Sequence, residues 1–185
     1  QGPPGAGKSL LAASLASLIP KLKAPANLEK YCIHTHANLN PDINKLDHPP
    51  IRTPHYHISK AGLLGGGSPP SPGEITLAHH GVLFLDELPE FGRDLLEGLR
   101  TPIETKKISL ARANYNITYP ANFLLVGAMN LCPCGNYGSP KNCNCTTTMI
   151  RNYQGKISGP LRQRIDLGLM IKQPNSHQLF AKSSS

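Results

Sequence analysis

Apolar residues fall along this chain in two rhythms. Leu10, Leu11, Leu15, Leu18 and Ile19 recur at roughly helical spacing among alanines and stop at Pro20, which predicts an amphipathic helix. Gly81-Val82-Leu83-Phe84-Leu85-Asp86-Glu87 and Phe123-Leu124-Leu125-Val126-Gly127-Ala128 are apolar without alternation, the pattern of parallel strands buried on both faces. Tyr31-Cys32-Ile33 suggests a further strand near 31–35. The rest of 20–60, broken by prolines, asparagines and histidines, reads as a partly irregular excursion. Gly65-Gly66-Gly67 and Pro69-Pro70-Ser71-Pro72-Gly73 punctuate a mobile, glycine-rich loop over 62–73, and a short helix is expected from Glu74 to His79. Residues 90–104 predict one helix with Leu95, Leu96 and Leu99 on one side, and Ile108 to Tyr119 alternates like a hairpin turning near Ala113-Asn114. Strands alternating with helices imply an α/β domain with a parallel sheet and ligands at the carboxyl ends of its strands.

A length of 185 residues fits one sizeable domain with a core of its own. Neither a signal peptide nor an apolar run of about 18 residues is present, so a soluble, cytoplasmic protein is expected. Lys and Arg outnumber Asp and Glu by 19 to 11, a net charge of +8. Such an excess attracts polyanions through counterion release, but alone it carries little weight. There are no internal repeats, and Ser183-Ser184-Ser185 reads as a frayed tail.

Gly2-Pro3-Pro4-Gly5-Ala6-Gly7-Lys8-Ser9 fits the pattern G-x-x-x-x-G-K-[ST] without mismatch. Glycines let such a loop curl until successive N–H groups face a phosphate, and the dipole of the following helix adds positive potential. Lys8 would reach the β- and γ-phosphates of ATP, and the Ser9 hydroxyl would join the shell of the accompanying Mg²⁺. A phosphate loop normally hangs from a buried strand. Only Gln1 precedes it, so the chain reads as N-terminally truncated.

Asp86 and Glu87 end the first apolar run, where a parallel strand would carry them to the phosphate loop. Asp86 is assigned to the Mg²⁺ shell and Glu87 to the attacking water. Asn130, just past the second run, offers a neutral amide that can sense the γ-phosphate or the water. Cys132-x-Cys134 and Cys143-x-Cys145 form a second constellation. Four thiolates in so short a loop suit a tetrahedral Zn²⁺, or else they are reduced or redox-labile thiols. Cys32, on its apolar run, is expected to be a packed core thiol. His55-x-His57 and His79-His80 lack acidic or thiol partners at matching spacing and are expected to be loop or surface residues.

These residues resemble the AAA+ ATPases, and more closely their Mg-chelatase-like, ComM-type bacterial branch. The resemblance runs nearly end to end: the loop at 2–9, Pro54-His55, Gly65-Gly66-Gly67, Pro72-Gly73-Glu74-Ile75, Ala78-His79, Gly81 through Phe91, Ala128-Met129-Asn130, Cys132-Pro133-Cys134-Gly135 and Ser158-Gly159-Pro160-Leu161. It implies an αβα sandwich in a ring, usually a hexamer, with ATP bound between subunits. Arg164 stands where the family has an arginine reaching the neighbour's γ-phosphate, although Gln163 replaces the usual acid and Arg162 adds a second charge. Related motors grip substrate with pore-facing insertions at the places of the loop 62–73 and the hairpin 106–119. Lys106, Lys107 and Arg112 there would contact DNA phosphates without reading sequence. The family implies DNA remodelling, such as helicase-like branch migration in recombination or natural transformation. The alternatives are a chelatase motor subunit driving Mg²⁺ into a porphyrin, and a nucleotide-gated assembly module without turnover. Residues 1–172 would be the ATPase core, with 173–185 starting a linker to a helical lid. No serine or cysteine has an activating partner that would suggest a protease.

Overall fold

The computed structural model describes residues 1–112 and 115–173; the side chains of Ala16, Ser17 and Arg112 lie outside the description. So do the expected turn at 113–114, the serine tail and all but the first residue of the expected linker. In chain order the elements are α1 (Lys8–Leu18), α2 (Ala24–His36), a 3₁₀ turn (Ile43–Lys45), β1 (Ile51–Arg52), α3 (Lys60–Leu64), β2 (Gly65–Gly66), β3 (Ser71–Pro72), α4 (Glu74–Leu77), β4 (Val82–Leu85), a second 3₁₀ turn (Leu88–Glu90), α5 (Arg93–Gly98), α6 (Arg100–Thr105), β5 (Lys107–Arg112), β6 (Tyr115–Pro120), β7 (Leu124–Gly127), α7 (Thr147–Gly155) and α8 (Gly159–Arg162).

β1, β4 and β7 form a parallel sheet in that spatial order, with Val82 to Leu85 opposite Leu124 to Gly127. The central strand shows why an unbroken apolar run was needed. Leu83 and Leu85 enter a core with Leu63, Ile75, Leu96, Leu99 and Leu161, whereas Val82 and Phe84 face Ala12 of α1 and Ala128 on the other side. Alternate side chains of one strand therefore fill two apolar layers. Each such burial contributes about 1.5–3 kcal/mol. The β5–β6 hairpin pairs antiparallel from Lys107 opposite Pro120 to Arg112 opposite Tyr115, as the alternation predicts.

Several expectations need correction. Residues 31–35 are not a strand but the second half of α2. Pro25 sits in the first turn of α2, and the inward positions Asn27, Lys30, Ile33, His34 and Ala37 keep helical spacing. Lys30 is buried with its ammonium donating to the carbonyls of Lys45 and His48 at 2.9 and 2.8 Å, which ties the excursion to the helix. Cys32 consequently points away from the core and is exposed. The helix expected over 90–104 is split into α5 and α6, because Pro102 cannot continue a hydrogen-bond ladder and instead occupies the first turn of the second piece. The stretch 62–73 is not plain loop: it holds most of α3 and the short β2–β3 ladder. β7 is only half-buried, with Leu124 53% exposed, because it is bonded to β4 alone in this sheet. On α1, Leu10, Leu11 and Leu18 are exposed and Ala12 makes the buried contact.

Candidate functional site

The carboxyl ends of β4 and β7 bring the predicted residues together. Gly5 and Gly7 sit at φ of 73° and 78°, the left-handed region that lets residues 2–7 fold back on themselves before α1 begins. Lys8, at the start of α1, turns its ammonium into this curl and donates to the carbonyls of Gly2 and Pro3, both at 2.8 Å, and to Asn130 Oδ1 at 3.0 Å. Burial pushes its pKa below the ordinary lysine range, an effect opposed by Asp86 and Glu87 nearby. Ser9 Oγ donates to Asp86 Oδ2 at 2.6 Å. Residues 77 and 122 positions apart in the chain thus meet within one hydrogen bond.

Glu87 has an unusual backbone. Its φ and ψ of 52° and 46° are left-handed, which a residue with a Cβ adopts only under constraint. The constraint is visible: its own N–H donates to Asp86 Oδ1 at 2.9 Å, the amide of Ala128 donates to Leu85, and the amide of Leu88 donates back to Ala128. The backbone of Glu87 is thereby fixed, and its exposed side chain lines a cavity of about 540 Å³ together with Ser9, Asp86, His55 and Tyr56.

The two arginines differ. The Arg164 guanidinium is bound to Glu104 and donates to the carbonyl of Pro160 at 2.5 Å, while exposed Arg162 donates to the carbonyl of Gln154 at 3.0 Å. Lys106 and Lys107 are exposed at the base of the hairpin, and the side chain of Arg112 lies outside the described residues.

All four thiols of the second constellation converge, with every pair of sulfurs within 4.8 Å, and could bind a metal. Cys134 is held down to about 6 by the amide of Asn136 and then by the neighbouring thiols. Of the histidines, His55 and His57 are exposed as expected. His79 is not a surface residue: it is 5% exposed, and it has the acidic partner that spacing failed to reveal. Its Nδ1 accepts the Asn122 amide proton at 3.0 Å, so Nε2 carries the hydrogen and faces Glu29 at 3.1 Å, with His80 at 2.7 Å from the same carboxylate oxygen. Glu29 lies on the part of α2 read as irregular; recognising that helix was the missing signal. Arg52 and Glu74 form a further pair that sequence reasoning passed over, bidentate at 2.6 and 2.7 Å.

Comparison with known proteins adds the family. A family model described as magnesium chelatase, subunit ChlI, matches residues 1–179. The chain belongs to this family. It is therefore an AAA+ protein, and the parallel sheet with flanking helices is the corresponding α/β core. It is 46% identical to the uncharacterised Escherichia coli protein YifB over 94% of this chain and 34% of that protein. It is 46% identical to the uncharacterised protein Rv2897c of Mycobacterium tuberculosis, over 92% of this chain and 34% of the relative. To the competence protein ComM of Haemophilus influenzae it is 41% identical, over 92% of this chain and 33% of the relative. The chain spans about a third of the length of these relatives. Among the described residues no helix is long and apolar enough to cross a membrane.

Proposed function

We propose that this chain is the ATP-hydrolysing core of a ring-forming motor that remodels DNA. The observation that carries this reading is the convergence of Lys8 on Asn130 and of Ser9 on Asp86. The residues fit Mg·ATP in chemical terms: a curled loop with a cation for phosphate, and a hydroxyl and carboxylate already touching, as two ligands of one divalent ion would. Bound Mg²⁺ would neutralise charge on the phosphates. Ser9 and Asp86 would hold that ion, Glu87 would orient and deprotonate water, Asn130 would carry the state of the γ-phosphate to β7, and Arg164 of a neighbouring copy would exchange Glu104 for phosphate.

DNA as the substrate is supported by likeness to a protein named for competence, by the net charge of +8, and by exposed Lys106 and Lys107 at the hairpin. The description of the family keeps a second reading in play, a motor serving metal insertion into a porphyrin. ATPase assays with forked and four-way DNA separate the two: stimulation is expected, and no response to any DNA removes the preferred reading. Glu87→Gln should keep ATP binding and lower turnover at least about a hundredfold, within the about 10²–10⁴ range that general-base catalysis supplies. Unchanged turnover would overturn the role given to Glu87, whereas a parent protein that binds ATP without hydrolysing it would leave a nucleotide-gated assembly module instead.

A further inference from the structure

We propose that Cys132, Cys134, Cys143 and Cys145 bind one Zn²⁺, and that this zinc knot clasps the phosphate loop to the strand end carrying Asn130. The clasp rests on the nucleotide reading above; the metal site does not. The sulfur separations are 3.4 Å for Cys132–Cys134, 3.8 Å for Cys132–Cys143 and 3.7 Å for Cys134–Cys143. A tetrahedron with Zn–S bonds of about 2.3 Å has edges of about 3.8 Å, whereas a disulfide would need about 2.05 Å. A spread within 4.8 Å suits one ion bound by four sulfurs.

The Tyr137 amide donates to Cys132 Sγ at 3.3 Å, an outer-shell hydrogen bond of the kind a thiolate site uses. A loop so rich in glycine, asparagine and proline has few apolar side chains to hold this arrangement, and coordination of an ion would hold it instead.

Two contacts aim the knot at the phosphate loop. Cys132 follows Asn130 by two residues, with the intervening Leu131 carbonyl fixed by Gln154 Nε2 at 2.9 Å. On the other side Gly135, at φ 79°, lies so close to Pro4 that a Cβ there would stand 2.6 Å from Pro4 Cγ. The loop thus spans from the Asn130 strand end to the middle of residues 2–9.

Elemental analysis of the purified protein, prepared without added metal, is expected to find about one zinc per chain. The double variant Cys143→Ser/Cys145→Ser should lose it, and cobalt loading should give the absorption of a tetrahedral thiolate site. Fluorescent-ATP titration is then compared for zinc-loaded, chelator-stripped and zinc-restored protein. Stripping should weaken binding about tenfold and restoration should recover it, and by linkage ATP should raise the affinity for zinc, read by competition with a chelator, by a similar factor. Absence of zinc with four freely reacting thiols, or iron in its place, overturns the site. Zinc without any change in nucleotide affinity overturns the clasp. If zinc-loaded protein binds no nucleotide, the reading of residues 2–9 fails and the clasp with it, while the metal count still decides the site.

Discussion

Replacing Asn130 by aspartate tests the site through charge alone. Asn130 Oδ1 lies 3.0 Å from the Lys8 ammonium, and aspartate has almost the same shape. At an effective dielectric constant of about 20, a full negative charge at that distance attracts the ammonium by about 5–6 kcal/mol. Both groups are only half-buried, so solvent screening reduces this to about 1.5–3 kcal/mol, the scale of a hydrogen bond to a charged group. That extra hold must be broken before Lys8 can turn to a phosphate, and the new carboxylate also repels the triphosphate. ATP affinity should fall by about 10- to 150-fold. Asn130→Ala, which removes only one of three acceptors around Lys8, should weaken binding far less. Titration of both variants with a fluorescent ATP analogue reads the difference, with melting temperature as a check on folding. Equal affinities for the aspartate and alanine variants, in folded protein, would show that Lys8 does not meet phosphate and refute the reasoning.

Other outcomes follow from the same geometry. His79 is held below the ordinary histidine range by burial, with Glu29 pulling the other way and His80 adding to the lowering, and His34 is lowered by burial too. The unfolded chain therefore gains protons first on acidification, so stability present above about pH 6.5 should decline as pH falls below it. Glu29, held low by His80 and His79, adds a loss only further into acid. Thermal melts from about pH 7.5 to about pH 5.5 should show falling midpoints, with a shallower slope for His79→Asn; flat midpoints in the parent protein would contradict the burial argument. Arg52→Ala should cost about 2 kcal/mol by leaving Glu74 unpaired between β1 and α4, and Arg52→Lys should recover less than half because it cannot bind both carboxylate oxygens. Denaturant midpoints for the three proteins measure this.

The residues that make the site were legible because their signals are local. A glycine curl, an apolar run ending in two acids and a second run ending near an amide each announce themselves within eight residues, and parallel pairing of β4 with β7 brings them together. What escaped was decided at a distance. Tyr31-Cys32-Ile33 is equally at home in a strand or a helix, and only the contacts of Lys30 with residues 45 and 48 favour the helix. Misreading α2 then hid Glu29, and without Glu29 the buried His79 passed for a surface residue. Arg164 could be placed in a motif, but its hold on Glu104, 60 positions earlier, depends on where α6 ends and α8 begins.

β4 wears no outer surface at all. Because its alternate residues are wedged into opposite layers, the strand cannot slide or tilt without disturbing both, and Asp86 and Glu87 inherit their position from the molecular interior. If the chain hydrolyses ATP as proposed, trimming Leu83 or Leu85 should slow that chemistry in whatever protein still folds, and a screen for catalytic defects would return buried leucines alongside charged residues.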